Sequence, residues 1–482
     1  MNKNREIISE LQSFFTVNDN KRAITSIMNV MSHIRVGVKQ MGCDKNANCK
    51  LTCEQVYQLM MLFPFFALKN ANNYVDSILR KFFSCHKDMF YRFMSNPDID
   101  WRKLVFSVNR RLLQRISLRS DAKKDDTPTC LIVDDTDIPK TGKSAELLGR
   151  IHFHVQQRSI LGFKGLFLCL TDGKTQTMVD QSLHGELGKN ASKPQGLTKE
   201  VAAKRYTKDR DGDSKTVARM AEYHEDKISN SIKMIKRAIL EGVRFNYLLV
   251  DSWFTCKDLV RLVKSRHFDC HLLSMVKMGK TKYETICGVM TAGAIITRLS
   301  RQKVVRYNRR HKFYYASIGA KFAGTDVQLF FYRTGRNGAW NALLTTDLTL
   351  DACKAYKIYS MRWAIEVAFK ECKSLLNLGK CQCRDFASQI ASISLCMMQY
   401  NILGYVKPFE SYETIGGLFR EVSKKSIELS VTEKIWGIII DIVNTISEVL
   451  STDPVELLRG IINNNKEICA VKRAFEAMQI AA

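Results

Sequence analysis

Three acidic side chains stand at places where a charge has to be accounted for. Asp134 follows the apolar triplet Leu131-Ile132-Val133, and Asp251 follows Tyr247-Leu248-Leu249-Val250, so each puts a carboxylate at the end of a run that reads as a buried strand. A charge beside a core is unfavourable unless it is paired or metal-bound. Strand-ending aspartates also cap helices and open turns, which is the plainer reading of both. The third acid, Glu366, lies in the stretch YSMRWAIEVAFKECK, where no Gly or Pro occurs from Leu350 to Leu378 and apolar residues recur at helical spacing. At about 100° per residue, Tyr359, Arg362, Glu366 and Lys373 fall within roughly a 60° arc. Ile358, Met361, Ile365, Ala368, Cys372 and Leu376 form a separate, buried face. One side of a single helix therefore offers a phenol, a guanidinium, a carboxylate and an ammonium. A solvated polar face would look the same.

The elements that must bring these groups together can be read in outline. CLIVDDTDI from Cys130, ILGFKGLFLCLTDG from Ile160 and TMVDQSLHGE from Thr177 read as three strands of an antiparallel meander, with turn signals at Pro139 to Gly142 and at Asp172-Gly173. Residues 185–215 are rich in Gly, Lys and Asp and read as a long mobile loop. A helix over 217–241 leads into a fourth strand ending at Asp251, and a helix over 256–265 and a strand over 271–276 complete a βββαβαβ order. Residues 277–346 are β-rich and precede the Glu366 helix. The first 120 residues read as helical, with apolar spacing through Ile7, Leu11, Phe14 and Phe15 and again through Val56, Leu59, Met60 and Leu62. Within them, 71–96 suggests a helix-turn-helix broken near Ser84, whose second helix would carry His86, Lys87, Tyr91 and Arg92 toward DNA. The polar segment SDAKKDDTPT marks a boundary, and residues from 401 onward read as helical, with amphipathic segments at 415–422 and 433–450.

Composition narrows the class of partner. The 482 residues carry 74 basic and 48 acidic side chains, a net +26 with a pI near 9.5. An excess of that size points to a polyanion, nucleic acid foremost. Hydrophobic content of 45% excludes a disordered chain. The start MNKNREIISELQSFF has no apolar signal core, and runs such as MLFPFFAL and WGIIIDIV are far short of a membrane span, so the expected location is cytoplasmic and nucleoid-associated. The 15 cysteines are scattered singly, as buried thiols of a reducing compartment would be. Two groups, Cys43, Cys49 and Cys53, then Cys372, Cys381 and Cys383, lack the paired spacing of zinc ligands.

Two strand-tip aspartates and a helix glutamate on a very basic chain resemble the DDE transposases of bacterial insertion sequences, in particular the subgroup with a Y-x2-R-x3-E-x6-K signature, complete here as Tyr359, Arg362, Glu366 and Lys373. The resemblance covers roughly residues 125–400 and implies an α/β fold: an RNase H-like mixed-sheet core with a β-rich insertion at about 277–346, between a helical DNA-binding region (1–120) and a helical dimerisation or DNA-contact region (401–482). It implies Asp134, Asp251 and Glu366 as ligands of two Mg²⁺ ions, for which Mn²⁺ can substitute. Asp135 and Asp137 compete with Asp134 for the first position; D-x-[ST] after a strand favours Asp134, with Asp135 next. Tyr359, Arg362 and Lys373 would hold phosphates near the scissile bond. Trp253 is expected either in the core or stacked on an extruded base. The basic insertion, with Arg298, Arg301, Lys303, Arg306, Arg309, Arg310 and Lys312, is expected to clamp DNA, a solvated face being the plainer alternative. The implied activity is nicking of double-stranded DNA at inverted-repeat ends and strand transfer into target DNA by a homodimer, cut-and-paste in route. A nuclease that cuts without joining, and a DNA-binding protein that has lost catalysis, are the rival readings.

Overall fold

The computed structural model describes residues 51–119 and 127–407, apart from 78, 81–82, 154–156, 189, 191 and 267, with a few further positions in 27–42 and 415–424. The expected helices around Ile7 to Phe15 and over 433–450, the thiols of Cys43 and Cys49, and most of 401–482 lie outside the described residues. The chain divides into two compact units, one of 1–112, 373–377 and 387–482, the other of 113–372 and 378–386.

The first unit is helical where described. Its helix Cys53–Leu62 opens on a reciprocal cap, in which Thr52 accepts from Gln55 N and the Gln55 side chain accepts from Thr52 N. Phe63, Tyr74 and Phe90 pack ring against ring beneath it. The expected helix-turn-helix is met by a 3₁₀ turn, Ala71–Asp76, helical residues at Leu79 and Arg80, and a short helix, Asp88–Met94, with irregular backbone at 83–86. His86 and Lys87 therefore sit ahead of the second helix, and Tyr91 and Arg92 sit on it. The helix Phe386–Val406 is apolar nearly all round, which suits a fully packed helix. Its Gln399 donates to the Met60 and Met61 carbonyls and its Asn401 to Asn109, each inside the core. Among the described residues no helix is long and apolar enough to cross a membrane.

The second unit is built on one sheet of twelve strands: β1 (Cys130–Pro139), β2 (Gly149–Phe153), β3 (Arg158–Thr171), β4 (Gln176–His184), β5 (Tyr247–Val250), β6 (His271–Val276), β7 (Lys282–Thr285), β8 (Gly288–Thr291), β9 (Arg306–Asn308), β10 (Phe313–Phe322), β11 (Thr325–Thr334) and β12 (Asn341–Thr345). The order is β2-β3-β1-β5-β6-β12-β11-β10-β7-β8, with β4 on β3 and β9 on β10. β3 runs antiparallel to β1 and β4 antiparallel to β3, whereas β5 runs parallel to β1 and β6 parallel to β5. Leaving aside the short β2, this core runs 3-2-1-4-5 with only its second strand reversed, the RNase H-like arrangement. The all-apolar Cys130–Val133 and Tyr247–Val250 segments are its fully buried centre. The β-rich insertion continues the same sheet, because β12 pairs with β6.

Four local expectations need correcting. β1 does not end at Asp134; it runs on to Pro139 because β3 is 14 residues long and keeps offering it hydrogen-bond partners. The 217–241 helix is two helices, Lys215–His224 and Lys227–Leu240, since Asp226 turns its carboxylate onto the Ile228 and Ser229 amides and starts the second one. The insertion is not all strand: Ala292–Arg301 is a helix capped by Thr291, with Ile295, Ile296 and Leu299 buried. The stretch after β4 is not a free loop. It contains the helix Lys199–Ala203 and is tied down by two arginines. Arg205 donates to the Leu148 carbonyl at 3.1 Å. Arg210, with only 1% of its side chain exposed, pairs with Glu146 at 2.7 Å and Asp385 at 3.1 Å, and Glu146 in turn accepts from Phe386 N.

Removing one member of a buried ion network strands the others. Arg210→Ala is expected to lower the unfolding free energy by on the order of 3–5 kcal/mol. A urea melt of this variant beside the wild type checks it.

Candidate active site

Register brings the first two acids together. Val133 on β1 is level with Val250 on β5 in a parallel pair, the last position the two strands share. Asp134, within β1, and Asp251, just past the end of β5, are the next residues, so they stand at one level on adjacent chain segments, about 4.8 Å apart across the ladder. Asp251 is fixed by its own turn: its Oδ1 accepts from Trp253 N at 2.8 Å and Phe254 N at 3.1 Å, and its carbonyl accepts from Thr255 Oγ1. Asp134 Oδ1 accepts from Asp135 N at 2.9 Å.

The third acid arrives from the helix Trp363–Leu375. The expected single helix is interrupted: Ala352–Ser360 ends, Met361 and Arg362 form a turn, and a second helix starts at Trp363. Tyr359 therefore belongs to the first helix and Glu366 to the second. The break lets Arg362 reach both ways. Its Nη1 donates to Asp134 Oδ2 at 2.7 Å and its Nη2 to Glu366 Oε1 at 2.6 Å, with 17% of the side chain exposed. Tyr359, largely buried, donates its hydroxyl to the Val250 carbonyl at 3.3 Å, just before Asp251. Burial raises its pKa well above the ordinary phenol range, so it stays a neutral donor. Ile365, Ala368 and Cys372 form the buried face as expected, while Met361 is only half-buried.

The competing aspartates on β1 are spoken for. Asp135 and Asp137 point to the opposite face from Asp134, as alternation along a strand requires. Asp135 pairs with Lys227 and Asp137 with the buried Lys164, which also donates to the His152 carbonyl. Asp134 is left facing Asp251 and Glu366. Trp253 is not a core residue; it is 45% exposed, its ring lies under Lys227 Nζ at 4.1 Å, and Phe254 meets it edge-on. Two further residues near these elements were not foreseen. Lys227, the first residue of its helix, is paired with one aspartate and stacked on Trp253, a role no local pattern announces. Trp363 is 61% exposed at the start of the Glu366 helix, and its signal was visible as an aromatic directly after Arg362. Lys373 lies about two turns beyond Glu366, in the last turn of the same helix. Arg306 on β9 and Arg309 and Arg310 in the turn after it are exposed, but they sit five strand steps from β5, on the order of 25 Å away.

Residues 74–273 match the family described as DDE superfamily endonuclease, and residues 211–402 match the transposase DDE domain. The first span takes in Asp134 and Asp251, the second Asp251 and Glu366. This is a DDE transposase. No curated protein matches the chain by sequence. Among solved structures, the piggyBac transposase synaptic complex with hairpin DNA aligns over 88% of this chain and 81% of its own, at 10% identity and a TM-score of 0.43. The NurA nuclease from Sulfolobus solfataricus aligns over 55% of this chain and 82% of its own, at 11% identity and a TM-score of 0.22. Both likenesses are remote.

Divalent metal use is general to DDE transposases, and the acids here suit it. The donors are all carboxylate oxygens, the hard type such a cation prefers. The place between Asp134 and Glu366 already attracts a cation, the Arg362 guanidinium, whose width holds the two apart. Among the described residues no group of three or more acidic, His or Cys side chains is close enough to hold a metal ion as it stands, Cys372, Cys381 and Cys383 included. Burial pushes the Asp134 pKa up to about 7; Arg362 and the Asp135 amide work against this, and Asp251 and Asp135 add to it. The transposase thus keeps a carboxylate that is costly to ionise.

That cost has a sign. A carboxyl whose folded pKa exceeds its unfolded value of 3.8 favours the protonated fold, so stability falls as pH rises from about 4 and the loss is complete above about 7. Asp134→Asn removes the penalty. At pH 8 it is expected to be more stable than the wild type by on the order of 2–4 kcal/mol, with the gain closing as pH falls toward 4. Thermal melts of both proteins across that range check it.

Proposed function

We propose that Asp134, Asp251 and Glu366 are the ligands of two Mg²⁺ ions, and that the chain cuts double-stranded DNA at the inverted-repeat ends of a mobile element and joins the freed 3′ ends to target DNA. The observation that supports this most is that Asp134 lies level with Asp251 on the neighbouring strand and is linked to Glu366 through Arg362. When bound, such ions activate the attacking oxygen and stabilise the leaving one in an in-line displacement.

The chain's own residues do the positioning. The Trp253 and Phe254 amides hold Asp251, and the Tyr359 hydroxyl holds the β5 end that delivers it. Tyr359 in this reading positions Asp251 and does not grip phosphate. Lys227 keeps Asp135 out of the site. Arg362 presents the planar donor fork that suits a phosphate, and Lys373 adds a point charge farther along the helix. Trp253 and Trp363 offer flat apolar faces to an unpaired base.

The insertion supplies a second DNA contact. Residues 301–325 contain Arg301, Lys303, Arg306, Arg309, Arg310, Lys312 and Lys321 and no acid. A surface of one sign at that distance from the acids suits a flanking duplex held by its phosphates. The first 120 residues are assigned to end recognition. Paired cutting of two ends calls for a homodimer, with residues 401–482 its contact region.

Two experiments test this reading. In Mg²⁺, with labelled duplex carrying the repeats that flank the source locus, the wild type is expected to cut and join. Asp134→Ala and Glu366→Ala are expected to bind the same DNA while losing cutting by at least about a thousandfold. Cut but unjoined products from the wild type would point to a nuclease, and bound, uncut DNA to a protein that has lost catalysis. Separately, the triple variant Arg306→Ala, Arg309→Ala, Arg310→Ala is expected to lower the slope of log affinity against log salt by about 2–3. An unchanged slope removes the insertion from the DNA contact.

A further inference from the structure

The three carboxylates are balanced by different means. Asp251 is satisfied by backbone amides of its own turn, which stay in place whatever binds nearby. One oxygen of Asp134 is held in the same way by the Asp135 amide. The other oxygen of Asp134, and Oε1 of Glu366, are held by one side chain, Arg362. These are oxygens a metal ion shared by the two acids would need. A guanidinium and a divalent ion placed between two carboxylates are mutually exclusive, since both satisfy the same lone pairs with the same sign of charge.

Besides the two acids, Arg362 meets the Tyr359 hydroxyl, a neutral partner that holds it less firmly than a carboxylate does. It sits on the two-residue turn between the helices Ala352–Ser360 and Trp363–Leu375, and part of its side chain already meets solvent. Rotation of the side chain alone would carry the fork away. What draws it off must be another anion that accepts two parallel N–H bonds, and a DNA phosphate is such an acceptor. Beyond the site the chain is strongly basic, so duplex DNA will gather there.

We propose that Arg362 is an exchangeable internal cation: it holds Asp134 and Glu366 together until a DNA phosphate takes it, so metal loading and DNA binding assist one another. This rests on the reading of Asp134 and Glu366 as metal ligands. Arg362 is then a positioning residue with two alternative partners, and a divalent ion is admitted mainly to the DNA complex. Because binding linkage is reciprocal, the metal tightens DNA binding by the same factor.

The test is Mn²⁺ binding, followed by loss of the free-ion paramagnetic resonance signal, on full-length protein with and without a duplex, the signal of duplex alone being subtracted. For the wild type, DNA is expected to tighten Mn²⁺ binding by about tenfold or more, within the usual range of such coupling. Arg362→Gln is expected to bind Mn²⁺ without DNA about tenfold more tightly than the wild type, with the DNA effect shrinking to about twofold or less. Wild-type affinity that does not change with DNA overturns the proposal, and that measurement needs no variant to fold. Arg362→Gln binding Mn²⁺ no more tightly than the wild type overturns it as well. Asp134→Ala and Glu366→Ala separate the two levels of the argument. If they bind Mn²⁺ as the wild type does, the acids are not the metal ligands and the underlying reading fails. If they lose binding while Arg362→Gln behaves as wild type, the acids stand and only the exchange is wrong.

Discussion

Like charges have to be held side by side in this protein, and its second unit is arranged around that constraint. The parallel register of β1 and β5 sets Asp134 and Asp251 on neighbouring strands, and the Glu366 helix brings a third carboxylate to the same place. Three anions in a half-buried setting repel one another and resist desolvation. The structure answers with backbone amides for Asp251, one guanidinium for Asp134 and Glu366, and separate lysines that bind Asp135 and Asp137 on the other face. Each compensation serves an identifiable acid.

The large sheet is what makes the arrangement rigid. Continuous pairing from β2 to β8 fixes the strand level at which each aspartate leaves, and the insertion shares that frame because β12 pairs with β6. The segment after β4 is held to the same frame by Arg205 and Arg210, which turn an apparently loose, Gly-rich stretch into a fixed part of the unit. Placing side chains on strands, on a turn at a strand end and on a packed helix limits the drift of the three acids.

The cost of the design is local. Asp134 is harder to ionise than an exposed carboxyl because it is buried, and a neutral residue there would suit the fold better. The proposed metal role accounts for the unfavourable residue, since a cation-binding site needs the charge that folding disfavours.

Much of this was legible from residues alone. The acids after Val133 and Val250, the Y-x2-R-x3-E-x6-K spacing and the βββαβαβ order all depend on short-range patterns, in which apolar runs mark strands and helical spacing marks a face. They pointed to the family and the fold of the core, and they singled out the three acids proposed as metal ligands. Other features are contacts between residues far apart in the chain, and local pattern carries no information about them. Asp134 is proposed over Asp135 because Lys227, 92 residues from Asp135, pairs with that rival. Asp134 meets Arg362 across 228 residues, and Arg210 meets Glu146 across 64. The turn at Met361 and Arg362 has no Gly or Pro to announce it; the structure places it where Arg362 can span two acids that approach from different elements. Sequence settled which groups are present and on what kind of element. Tertiary packing decided which charges meet, because an ion pair is chosen by proximity in space and by what else is close enough to compete for it.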